Sequence, residues 1–469
     1  MDCVGLSVYF PGRETRSENN GIIGSWEGSS RRSSAWEGLS YFLNRAGSTL
    51  PFLSKSDACN AGLFSSLRQR KHLNLRTACQ PLLVITPMIK FPIAGKMKYE
   101  RMPIEIESPE EYGYDKIKYN LSESSVTDET IKSLGLQIPN LTLLYNEHRG
   151  ERALRQLIAD DANVGPDDVL ITSGAAGALF IITTSQLSTA PGPGSELNHL
   201  VVVRPNYATN LETPKAVGCE ISYIDVTFES GFQPNLDEIE AAIKPNTRVV
   251  SVTCPHNPTG STLSREALDR LVTITRNKNI LLLMDETYRD ISFGEKLPVA
   301  ASLGEHVLSV SSLSKSFGIP GIRIGWLITA NRELQETFLA AKEQVSISGS
   351  VIDEWVATQV LSRRQEILAR TTEEMKVRLQ MVQTWIEGED LLEWVKPTGG
   401  VVCFPRIKKE PKGGLPAFYD RLLKHHGTYV GPGHWFEMPD TFFRLGYGWP
   451  TRAELAGGMK AISAALRDE

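Results

Sequence analysis

Cysteine is scarce and unpatterned in this sequence. Its six copies, Cys3, Cys59, Cys79, Cys219, Cys254 and Cys403, show neither a metal-ligand nor a disulfide spacing. That excludes a stapled secreted scaffold and a zinc module, so no metal is expected and a reducing, cytoplasmic setting is. Cys254 is expected to pack rather than react. Long apolar runs are missing too: segment 82–89 is too short and too proline-broken to cross a membrane, and no secretory core stands at the N-terminus. With 41% hydrophobic and 22% charged residues, the composition is that of an ordinary soluble protein with no membrane partner.

Acidic residues are sparse only at the start. The first 97 residues carry a net charge of about +6 and the remainder about −11. This stretch is rich in Ser, Gly and Arg, lacks a sustained period of 2 or 3.6, and is expected to be disordered. Asp2, Glu14, Glu18, Glu27 and Glu37 argue against a mitochondrial transit peptide. A helix-turn-helix module needs two periodic helices that are not found, so no nucleic-acid partner is expected. The expectation is an extension outside the working protein, with translation starting at Met97 or Met102.

What is present is concentrated around one lysine. In the run from Ser311 to Trp326, Lys315 stands among Ser312, Ser314, Ser316 and Gly318, eight residues before Arg323. Burial and a cationic neighbour can lower an ammonium pKa enough for imine formation with an aldehyde. The two hydroxyls and the guanidinium suit phosphate oxygens. Ser-x-x-Lys also occurs in penicillin-binding enzymes, but neither Ser-Asp-Asn nor Lys-Thr-Gly follows here.

Thirty residues upstream, the apolar run Leu281-Leu282-Leu283-Met284 ends in Asp285, Glu286, Thr287 and Tyr288. A further twenty-eight back, an apolar strand breaks into the turn Asn257-Pro258-Thr259-Gly260. Catalytic groups favour the carboxyl ends of such strands. The segment 169–179 reads as a strand, a tight turn at Gly174-Ala175-Ala176 and a helix start, whose free N–H groups would face an anion.

In this order and spacing the motifs resemble the class I/II aminotransferases, fold type I pyridoxal-phosphate enzymes. The resemblance runs from about Lys98 to the C-terminus, nearly four fifths of the chain. It implies pyridoxal 5'-phosphate bound to Lys315, which also moves the substrate proton. Asp285 would pair with the pyridine nitrogen and keep a depressed pKa. Asn257 and Tyr288 would reach the ring oxygen, and Tyr207 would stack on the ring. Gly174, Ala175, Ala176, Ser312, Ser314 and Arg323 would cradle the phosphate. Tyr145 would reach the phosphate of a neighbouring subunit, so a homodimer with shared active sites is implied. Arg444, alone in the apolar strand 442–446, would grip the substrate α-carboxylate. His148 and Tyr447 are further candidate substrate contacts.

The expected reaction moves an amino group from an amino acid to a 2-oxo acid. The alternative is a β-eliminating lyase or a ring-forming synthase of the capreomycidine synthase kind, which uses the same residues. The fold class is α/β, a mainly parallel sheet in a large domain over 146–340. A small α+β domain is made of 98–145 and 341–469. Helices are expected over 236–243, 265–277, 351–366 and 373–385.

Overall fold

The computed structural model describes residues 97–187 and 196–468, all within the compact unit Phe91–Glu469. The expectations for residues 1–96 lie outside the described residues. Seven strands form the central sheet, in spatial order Val169–Ser173, Ile324–Ile328, Val307–Ser312, Leu281–Asp285, Thr247–Thr253, His199–Arg204 and Glu220–Asp225. Neighbours from Val307–Ser312 to Glu220–Asp225 pair in parallel, while Ile324–Ile328 runs antiparallel to both of its partners.

The strands read as continuous apolar runs because helices cover both faces. Val201, Val203, Val250, Val252, Leu282 and Met284 fill one core. The alternate residues Leu200, Val202, Val249, Leu281 and Leu283 fill the other, the period of 2 that a pleated strand imposes. Helix Arg265–Asn277 covers one face, with Leu268, Leu271 and Val272 buried, and starts where Ser264 accepts from the Ala267 N–H. Strand Glu220–Asp225 was not anticipated; it lies at the edge, half exposed, and lacks the apolar continuity of the others.

Register decides which residues meet. Thr253 stands opposite Asp285, Ser312 opposite Gly325, and Ser173 opposite Ile324. The carboxyl ends of the parallel strands, the start of Ile324–Ile328 and the end of Val169–Ser173 therefore share one edge of the sheet.

A second set of elements closes over that edge. Val402–Cys403, Phe443–Gly446 and Gly431–Pro432 form a small antiparallel sheet. Tyr119–Asn120 pairs with Thr428–Tyr429. Helices Arg364–Glu387, Gly414–Lys424 and Arg452–Arg467 surround one core with them. The expected helices over 351–366 and 373–385 are corrected: the helices run Val351–Leu361 and Arg364–Glu387. The break falls where Arg363 leaves helical geometry and donates to the Leu134 carbonyl at 2.7 Å. No helix among the described residues is long and apolar enough to cross a membrane.

Candidate active site

Lys315 follows strand Val307–Ser312 in the turn that leads to Ile324–Ile328. Its ammonium donates to Ser124 Oγ at 3.0 Å. Burial lowers its pKa, and Arg444 and then Arg323 push it further in the same direction. The neighbouring cation that matters most is thus Arg444 rather than Arg323, which the local sequence favours.

Asp285 ends its strand fully enclosed. One carboxylate oxygen accepts from the Thr287 hydroxyl at 2.6 Å and amide at 3.2 Å, the other from Asn210 Nδ2 at 3.1 Å. Burial raises its pKa despite these donors and Lys315. The expected depression is therefore corrected: with only neutral donors bonded directly to it, desolvation outweighs them.

Gly174 opens helix Gly174–Gln186 with φ +66°, and its amide donates to the Arg323 carbonyl at 2.9 Å. A Cβ at Gly174 would run into the Arg323 guanidinium, so only glycine lets that guanidinium lie across the helix start. Ala175 and Ala176 occupy the first turn, whose N–H groups lack intrahelical partners. Arg323 donates to Ser314 Oγ at 3.5 Å, and Ser312 Oγ accepts from the Ser314 amide at 3.4 Å. The turn at 174–176, Ser312, Ser314 and Arg323 thus form one cradle.

Tyr207 caps helix Ala208–Ala216, half-buried, and burial raises its hydroxyl with Asp285 and Arg323 both within electrostatic reach. Tyr288 is buried and donates to the Ser124 carbonyl at 2.8 Å. Burial pushes it up to about 12. Asn257 Oδ1 accepts from Arg444 at 3.2 Å.

Arg444 is 4% exposed. Besides Asn257 it donates to the Ser122 carbonyl at 2.8 Å and lies over the Phe436 ring at 5.0 Å. Its Nε is buried without a partner. Among the described residues no carboxylate pairs with it, so the structural salt bridge that usually accompanies a buried arginine is missing.

Three sequence candidates lie elsewhere. Tyr145 is 78% exposed. His148 pairs with Glu343 at 2.6 Å on the surface. Tyr447 is fully buried and donates to the Gly400 carbonyl at 2.9 Å. Cys254 is buried, its thiol pushed up to about 12 by burial, and it accepts from the Leu263 amide. It packs.

The residues missed from sequence lie on segment 121–126, where Ser122 and Ser124 hold Arg444, Lys315 and Tyr288. Nothing local marks them, because their partners stand 164 to 322 residues away. Asn210 carries a weak signal, a second asparagine four residues after Asn206, to whose Oδ1 it donates at 3.3 Å. A surface hollow of about 840 Å³ lies at the opposite edge of the sheet around Arg248, Arg276 and His306 and contains none of these residues.

Residues 116–462 match the family model for aminotransferase class I and II. The chain is 28% identical over 366 residues to capreomycidine synthase of Streptomyces vinaceus, covering 75% of this chain and 91% of that protein. It is 29% identical over 302 residues to an arginine–pyruvate transaminase of Pseudomonas aeruginosa, covering 62% and 74%. A PLP-dependent aminotransferase structure from Streptococcus suis superposes with TM-score 0.71 at 28% identity, covering 79% of this chain and 99% of that one.

Proposed function

The chain belongs to the class I and II aminotransferase family, and from that premise we propose that it moves an amino group from an amino acid to a 2-oxo acid at Lys315. Pyridoxal phosphate is the cofactor, and the residues fit it. A lysine with a lowered pKa stands ready for its aldehyde. A buried carboxylate suits its ring nitrogen, and a glycine-opened helix start beside Ser312, Ser314 and Arg323 suits its phosphate. When bound, it supplies the carbonyl and an electron-withdrawing ring next to the substrate α-carbon.

The chain's own residues do the rest. Lys315 takes the proton from the α-carbon and gives it up again as general acid, a task suited to an amine whose pKa burial and Arg444 lower. Asp285, held by Thr287 and Asn210, keeps the ring nitrogen protonated. Asn257 and Tyr288 would hold the ring oxygen, and Tyr207 would support the ring face. Arg444 holds the α-carboxylate and so orients the α-hydrogen toward Lys315. The large domain 146–340 and the small domain made of 98–145 and 341–469 enclose these groups and exclude water.

A second copy of the chain completes the reading. Leu143, Leu144, Tyr145, Val345, Ile347 and Ile352 are exposed. The segments carrying them are joined by the contacts of Asn146 with Glu354 and of His148 with Glu343, so one apolar face suits a homodimer in which Tyr145 reaches the partner's phosphate.

The observation that carries the proposal is Arg444, a buried cation that meets no carboxylate among the described residues, beside a lysine whose ammonium donates to a serine hydroxyl. A screen of common amino acids against the holoenzyme, without added keto acid, tests it. One equivalent of keto acid per site establishes transfer. Catalytic ammonia release or a cyclised product overturns it in favour of the elimination or cyclisation reading, which the likeness to capreomycidine synthase favours.

A further inference from the structure

Segment 121–126 brings more than two serines to the site. Glu123 stands between Ser122, which binds Arg444, and Ser124, which binds Lys315. Its carboxylate accepts from the Tyr114 hydroxyl at 2.9 Å and lies within electrostatic reach of both Lys315 and Arg444. The Tyr114 ring stacks on Trp449 at 6.2 Å and 19°, and the Trp449 indole donates to Asp128 at 2.8 Å. Glu110 approaches the same place, acting on Glu123, Tyr114 and Lys315.

Three carboxylates, Glu110, Glu123 and Asp128, thus gather on one aromatic wall, and among the described residues none of them forms an ion pair. Glu123 is the costly member, because burial raises its carboxyl while Glu110 repels it. Only a phenol bonds to it.

A second feature of the site, independent of these acids, points to a ligand. Arg444 is buried, lacks a carboxylate and leaves Nε without a partner. Among the described residues the site therefore offers a buried cation without a carboxylate for an anionic end and, at Glu123, next to the Ser122 that Arg444 binds, an acidic wall without an ion pair. A molecule with a carboxylate at one end and a positive charge at the other satisfies both. The paired faces of Tyr114 and Trp449 suit a flat or compact cation as well.

Resting on the reading of Arg444 as the α-carboxylate grip, we propose that the substrate is an amino acid with a second positive charge, guanidinium or ammonium, at the end of its side chain, and that Glu123 selects it. Glu110 and Asp128 set the negative field around that position, and Tyr114 orients the Glu123 carboxylate.

The test is binding to the full-length holoenzyme of two pairs of amino acids matched for shape and differing in charge. Arginine is set against citrulline and lysine against norleucine, with Kd read from visible absorbance changes and calorimetry. At least one cationic member binds about tenfold or more tighter than its neutral counterpart. Arginine over lysine identifies the guanidinium, and the reverse order the ammonium.

In Glu123→Gln, which keeps an acceptor for Tyr114, the cationic member weakens to its neutral counterpart while the neutral one is unchanged. Glu123→Asp restores part of the preference. Melting temperatures matched to the wild type show that the fold survives. Equal binding within both pairs overturns the proposal, and so does an equal weakening of all four ligands in Glu123→Gln, which would make Glu123 a support of the strap alone. The products are read separately: a charge preference with ammonia rather than keto acid leaves this proposal standing and removes transfer.

Discussion

Arg289 and Arg364 meet Asp161 and Asp290 at 2.6–3.4 Å, and Lys296 joins Asp290 at 2.9 Å. Among the described residues the buried Arg444 and the partly buried Lys315 hydrogen-bond with carbonyl, amide and hydroxyl oxygens and with no carboxylate. The first cluster satisfies its charges within the chain. Although burial alone would raise Asp290, its three cations hold the carboxyl well below the usual range. In the second cluster burial depresses both cations, and Arg444 lowers Lys315 further. Buried charge that is internally paired belongs to the architecture, whereas buried charge left open is matched to something that arrives.

Substitutions sharpen that contrast. Lys315→Ala is expected to lower kcat by at least about a thousandfold. Borohydride, which otherwise fixes the cofactor onto the lysine, should leave no label at 315 by mass spectrometry; a label retained there on another route would remove its role. Arg364→Ala leaves Asp161 and Asp290 undercompensated and costs about 3–5 kcal/mol in urea unfolding, with KM for the amino acid unchanged. Arg444→Ala reverses the pattern, losing about 2–4 kcal/mol in kcat/KM through KM while stability holds or rises. If amino acids and simple amines are then handled as in the wild type, Arg444 is structural.

The smallest effects are in pH. The folded pKa of Asp290 lies below its unfolded value, so its contribution to stability is complete above about pH 4 and drains as pH falls further. Asp290→Asn should therefore differ most from the wild type at neutral pH and converge with it in acid. Lys315 has the opposite sign. Its folded pKa lies below 10.5, so its charge burdens the apoprotein at low pH and the burden lifts as pH rises toward 10.5. Lys315→Met should stabilise the apoprotein at pH 7 by about 1 kcal/mol and lose that advantage in alkali. Parallel pH profiles for both variants would erase the distinction between the clusters.

Much of this was legible in the sequence because the sheet announces itself. Leu281 to Met284 and Val249 to Val252 can be continuous apolar runs only if covered on both faces, and the polar residues that end them fall at the edge where ligands bind. Helix Arg265–Asn277 was readable to the residue, since Ser264 caps it and its apolar stripe repeats. The supports were not readable. Ser122, Glu123 and Ser124 form no pattern with each other, and they acquire meaning only when the chain returns 191 and 322 residues later. The break between Leu361 and Arg364 was equally hidden, because its cause is a distant carbonyl at Leu134. The direction of the Asp285 shift depends on enclosure, which a linear spacing does not record.

Lys315 holds segment 121–126 twice. Its side chain bonds to Ser124, and its main-chain carbonyl accepts from the Val126 amide at 3.0 Å. The first attachment depends on where the ammonium points; the second is made by main-chain atoms that do not turn with it. With Arg444 on the Ser122 carbonyl and Tyr288 on the Ser124 carbonyl as further pins, the segment hangs like a door on several hinges, and freeing the one made by the lysine side chain leaves the wall in register.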